Sequence, residues 1–150
     1  MNANEYWVKY KKENNLSDSL KYNGELQFGY DADSTNQLNA LVLCGVKKAT
    51  CSLFESYELD MMSVPKINDY YVITDFKDQA VCIIKDVNVS TMAFKQMYWE
   101  LAQKEGEDSS MEEWRENHRE YFEDEAIDLG IEFNDNTLIV FEEFEVVYKE

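Results

Sequence analysis

Three residues in the segment LVLCGVKKATCSLF, Leu41 to Phe54, have types and spacing that could do chemistry. Lys47 and Thr50 stand three positions apart. A lysine held away from water gives up its proton more readily than one in solvent, and it can then take the proton of a threonine hydroxyl and make it a nucleophile. Lys48 adds a second cation beside the first. Both lysines sit among apolar neighbours in a chain of formal charge −17, with 14 Lys+Arg against 31 Asp+Glu. Each also has a simpler role. A lysine just past a helix C-terminus is favoured by the dipole, and a threonine in a strand is an ordinary β-former.

The other polar clusters are weaker. In KEGEDSS, Glu105, Glu107 and Asp108 precede a predicted helix N-terminus, where carboxylates are stabilised. They lack EF-hand spacing and a second oxygen cluster, so no metal site is expected there. His118 is the only histidine and lies on an apolar stripe with Trp114 and Tyr121, the pattern of a hydrogen-bonded core residue. CGVKKAT lacks the second glycine of a phosphate loop, and no cofactor is implied. Glu112, Glu116, Glu120, Glu123 and Asp124 read as a solvated helix face.

The elements that must position these residues follow from periodicity. Tyr6, Trp7 and Tyr10 recur at helical spacing. Leu26 to Tyr30 reads as a strand or extended loop. Ser34 and Gln37 fit a capping box ahead of the stripe Leu38, Leu41 and Val42, which predicts a helix from Ser34 with Gly45 in the left-handed position that ends it. Lys47 and Thr50 then lead into a strand over 49–54, whose alternation puts Lys48 and Thr50 on one face. VPKINDYYVITDF and QAVCIIKDVNVS read as strands paired around Lys77-Asp78. AFKQMYWELAQKEG predicts a helix that stops near Gly106. Ser110 and Glu113 predict a capping box for a long helix ending at Gly130, with Met111, Trp114, His118, Tyr121 and Phe122 inward. NTLIVFEEFEVVYKE closes the chain as a strand. Few strands are separated by a helix, so parallel winding is not expected; the fold class is α+β, a small, mainly antiparallel barrel or sheet with helices packed on it.

Length and composition bound the rest. With 150 residues, 45% of them hydrophobic, the chain is expected to form a single domain over 1–150 with a real core. Its acidity argues against general DNA or RNA coating, which needs a basic surface to release counterions, and against an anionic membrane surface. Any such ligand must enter a local cationic pocket or be small. Cys44, Cys51 and Cys82 form no C-x-x-C pair, and the start MNANEYWVKY has no apolar signal region. Reduced thiols and a cytoplasmic location are therefore expected.

Two blocks together carry a family resemblance. LVLCGVKKATCSLF resembles the G-x-K-x-x-T signature of the ASCH domain (activating signal cointegrator homology). KEGEDSSMEEWRENHREYF resembles the second block of the longer bacterial members, an E-G-E turn followed by W-R-x-x-H and an aromatic pair. Trp7 and Gln27-Phe28-Gly29 also fit that subfamily. The resemblance implies a PUA-like β-barrel with a cleft that binds RNA or a nucleoside. Some short members of the family deacetylate N4-acetylcytidine with a lysine, a threonine and a glutamate, which correspond to Lys47, Thr50 and Glu105. Lys48, Trp7, Phe28, Arg115 and His118 are then candidate ligand contacts. A nucleoside or short RNA is the expected partner; an amidohydrolase is the alternative; a basic protein partner for the acidic helix is a third reading.

Overall fold

The computed structural model describes all residues, Met1–Glu150. Its fold is α+β: five strands in one mainly antiparallel sheet, ordered β1-β3-β4-β5-β2, with helices packed on it. The chain groups into two compact units made of interleaved segments. The first comprises Met1–Lys47, Ile67–Val87 and Phe144–Glu150, and the second Lys48–Lys66 and Asn88–Glu143. Two strands, β4 (Ala80–Ala93) and β5 (Leu138–Lys149), contribute residues to both.

In the first unit, α1 (Ala3–Glu13) buries Ala3, Tyr6, Trp7 and Tyr10 against Val72 of β3 (Tyr70–Thr74) and Ile83 of β4. On the opposite face of β3, Tyr71 and Ile73 pack with Val42 of α2 (Ala32–Leu43), Ile84 and Phe144. A strand covered on both faces must read as a nearly continuous apolar run, and YYVIT does. β3 and β4 pair antiparallel across the turn at Lys77-Asp78, as the sequence implied. The short β1 (Gly24–Leu26) instead pairs parallel to β3, which the element order had not led us to expect. Residues 27–69 supply the long connection that a parallel pair requires.

α2 begins earlier than its sequence pattern predicts. Asp31 is the N-cap, its carboxylate accepting from the Ser34 N–H at 2.7 Å, while the Ser34 hydroxyl accepts from Asp31 N–H. Ser34 is therefore the third residue of the capping box rather than its cap. The turn before it depends on Gly29, at φ +82°: a Cβ there would lie 2.8 Å from Thr35 N.

In the second unit, β2 (Ala49–Leu53) pairs antiparallel with β5, and Ala49 and Leu53 join Ile139, Phe141, Phe94, Trp114 and Phe122 in a core. A short helix, α3 (Phe54–Leu59), follows β2. The helix predicted over residues 93–106 is broken into a 3-10 turn at Phe94–Gln96, an extended step at Met97 and Tyr98, α4 (Trp99–Ala102) and a second 3-10 turn at Gln103–Glu105. From α5 (Met111–Leu129) the Arg115 guanidinium donates to the carbonyls of Phe94 and Met97 in this broken segment, at 3.0 and 2.9 Å. α5 starts at Ser110, which accepts from Glu113 N–H, and stops at Gly130, φ +71°. Trp114, Phe122 and Ala126 are its buried residues, whereas Tyr121 faces solvent, against the predicted stripe. No helix is long and apolar enough to cross a membrane.

Two measurements check this packing. Gly29→Ala forces both a strained left-handed backbone and a clash with main chain, so chemical denaturation is expected to show a loss on the order of 1–3 kcal/mol. Phe122→Ala is expected to cost about 3–5 kcal/mol, and Tyr121→Ala less than about 1 kcal/mol; equal costs would contradict the rotation of α5.

Candidate functional site

Lys47 is set by the way α2 ends. Gly45 takes φ +82°, and the chain turns so that Val46 N–H and Lys47 N–H both donate to Leu41 O, at 2.9 and 3.0 Å. The Lys47 side chain is then only 3% exposed, with Nζ over the Phe28 ring, 5.1 Å from its centre. Phe28 is half-buried and stacks on Phe144 at 6.3 Å. Lys48 differs from its neighbour in that its residue is exposed. The two adjacent cations thus occupy opposite environments, and only Lys47 is removed from water.

Thr50 is the second residue of β2. It lies opposite Glu142 of β5, and directly opposed residues share a face. Ala49, Cys51 and Leu53 point into the core of the second unit, so Thr50 and Glu142 are on the other side of the strands. Glu142 is 2% exposed. Nothing in FEEFE singles it out from Glu143 and Glu145.

Glu105 ends the second 3-10 turn and is 2% exposed. Gly106 follows at φ +75°, a left-handed residue that reverses the chain there. One residue upstream, the Lys104 carbonyl accepts from Lys48 N–H at 2.8 Å, and the Lys104 ammonium pairs with Glu143. The start of β2 and the approach to Glu105 are therefore joined through main chain.

Glu105 Oε2 lies 2.8 Å from His118 Nε2 on α5, and His118 Nδ1 lies 2.9 Å from the Trp114 carbonyl. The imidazole stacks on the Trp114 indole, with ring centres 4.1 Å apart. Asp108 Oδ2 is 3.9 Å from Nδ1, and Asp108 itself accepts from the Asn117 amide. Burial pulls the imidazole pKa down; the Glu105 hydrogen bond and charge, the Trp114 carbonyl and the Asp108 charge outweigh it, and the net shift is upward. Asp108 had been grouped only with helix-start carboxylates, and its aim at His118 was not legible from spacing.

Two of the candidate ligand contacts are engaged within the fold. Trp7 is 3% exposed, its indole N–H donates to Leu20 O, and Tyr10, Tyr22 and Tyr70 surround it within 5.4 Å of its centre. A ring so enclosed has no face left for a base. Arg115 spends its guanidinium on the Phe94 and Met97 carbonyls. The acidic face of α5, by contrast, is exposed as read: Glu112, Glu116, Glu120, Glu123 and Asp124 all face solvent.

The chain resembles known proteins over most of its length. The ASCH domain family matches residues 24–148. Protein EF3133 from Enterococcus faecalis V583 is 30% identical with a TM-score of 0.87, over 96% of this chain and 86% of that one. An ASCH domain from Lactobacillus crispatus JV V101 is 30% identical with a TM-score of 0.85, over 99% and 96%. A ZmASCH variant from Zymomonas mobilis, 9% identical with a TM-score of 0.50 over 85% and 75%, shares the fold alone. No curated protein matches the chain. Together, the matched span and the two 30%-identical structures establish that this chain belongs to the ASCH domain family.

Proposed function

We propose that this ASCH domain binds a nucleoside or modified nucleobase, free or within a short RNA, through Lys47. The observation that carries this reading is the burial of that lysine, 3% exposed with its ammonium over the face of Phe28. In a chain with 31 acidic residues, such a position is a specific cationic point rather than solvated surface. Thr50, three residues on, adds a hydroxyl that both donates and accepts. The net charge of −17 opposes long phosphate backbones and favours a ligand with few phosphates or none.

Amidohydrolysis is the second reading, favoured by the burial of Glu105, 2% exposed, at the position that the family pattern gives to the glutamate of the lysine, threonine and glutamate set. In it, Lys47 takes the Thr50 hydroxyl proton as Oγ adds to the acyl carbon. The carbon–nitrogen bond breaks, the proton passes to the leaving amine, and water hydrolyses the acyl-threonine. Glu105 orients the lysine.

Calorimetric titration with cytidine, N4-acetylcytidine and a short oligoribonucleotide, at about 50 and 200 mM salt, tests the first reading. Saturable nucleoside binding with little salt dependence is expected, and Lys47→Met should weaken it at least about tenfold, ~1.4 kcal/mol. If the folded protein binds none of the three, the reading is wrong. Ultraviolet absorbance during incubation with N4-acetylcytidine tests the second: turnover is expected in the wild type and should vanish in Thr50→Val. Binding without turnover in the wild type would leave only the first.

A further inference from the structure

The hydrogen bonds of His118 constrain where its protons are. A backbone carbonyl can only accept, so Nδ1, 2.9 Å from Trp114 O, carries hydrogen. The other nitrogen faces Glu105 Oε2 at 2.8 Å. A neutral ring would then present a lone pair to a carboxylate lone pair at hydrogen-bond distance, which is repulsive. The contact therefore holds one more proton than a neutral imidazole and a carboxylate would bring to it.

Two further features decide which partner keeps that proton. The titratable groups facing the ring are Glu105, from the 3-10 turn before α5, and Asp108, from the link between them, its Oδ2 3.9 Å from Nδ1. Both side chains are almost wholly buried, at 3% and 5% exposure. The ring also lies parallel to the Trp114 indole, 16° between planes, so its charge would rest on an aromatic face. Two carboxylates and a π-face all favour the positive form of the ring.

We propose that His118 is a positioning residue for Glu105: an imidazolium clamped to the Trp114 carbonyl, whose Nε2–H fixes Oε2 and orients this buried carboxylate. The clamp is built from W-R-x-x-H itself. Trp114 supplies both the carbonyl and the stacking face one helical turn before the histidine, while Arg115 holds the carbonyls of Phe94 and Met97 in the segment that leads to Glu105. The clamp rests on geometry, whereas its relevance to ligand rests on the reading of Glu105 given above. It sets an alkaline limit: once the imidazolium loses its proton, the Nε2 lone pair faces Glu105 Oε2 and the hydrogen bond is lost.

Because the chain has one histidine, nitrogen-15 NMR of the whole protein reports this ring without overlap. Both ring nitrogens are expected to be protonated at pH 7, with a titration midpoint above the ordinary value near 6.5, and Glu105→Gln should bring that midpoint down. A ring already neutral at pH 7, or a midpoint indifferent to Glu105→Gln, overturns the clamp; the wild-type spectrum decides even if the variant fails to fold. The raised pKa also fixes the sign of the stability effect. The contribution is complete below about pH 6.5 and is lost as pH rises through the folded-state midpoint, a loss that His118→Gln should remove from the denaturation profile. Nucleoside affinity should fall at least about threefold across the same midpoint in the wild type and be flat in His118→Gln. A wild type that binds no nucleoside at any pH overturns the function proposed for the site and leaves the clamp to the NMR result; affinity that ignores the midpoint overturns the positioning role.

Discussion

One main-chain hydrogen bond links the two parts of the sequence that carry the family pattern: Lys48 N–H to the Lys104 carbonyl. It ties the start of β2, where the threonine of the first block stands, to the turn that ends at Glu105. Backbone groups make this link, and their geometry does not depend on side-chain identity. Around it the sheet acts as a sorter. Once Ala49, Cys51 and Leu53 are committed to the core, alternation leaves Thr50 and Glu142 no choice of side.

Much of this was legible in the sequence, for identifiable reasons. Gly45, Gly106 and Gly130 all adopt left-handed angles at the ends of helical segments. The turn at Lys77-Asp78 lies between paired strands. What escaped reading is equally specific. The segment 94–105 has helical periodicity, yet it is broken at the extended residues Met97 and Tyr98, and a guanidinium from another element contacts two of its carbonyls. Ser34 has the right chemistry for an N-cap, but Asp31 is a stronger acceptor and lies where the Gly29 turn delivers it. β1 is three residues long, too short to announce its direction.

The candidate site divides in the same way. That one of the adjacent lysines leaves water is legible from its apolar neighbours, but residue order alone does not say that it is Lys47 rather than Lys48. His118 was read as a hydrogen-bonded core residue, which it is, but its partner Glu105 and the more distant Asp108 lie on segments that sequence spacing does not relate to α5. Trp7 and Arg115 are large residues of the kind that contact nucleic acid, and both are consumed by the fold. Residue type alone does not separate a ring that stacks on a base from one enclosed by three tyrosines.

The interleaving of the two units has a consequence for biosynthesis. The first unit needs residues 144–150 and the second needs residues 88–143, while β4 and β5 belong to both. A ribosome delivers the N-terminal segments first, so α1, β1 and α2 emerge with their apolar faces uncovered and no complete unit to join. Ordinary multidomain chains escape this by folding domain by domain as they are made. Here that route is closed: neither core is complete until the strand carrying Ile139, Phe141 and Phe144 has left the exit tunnel.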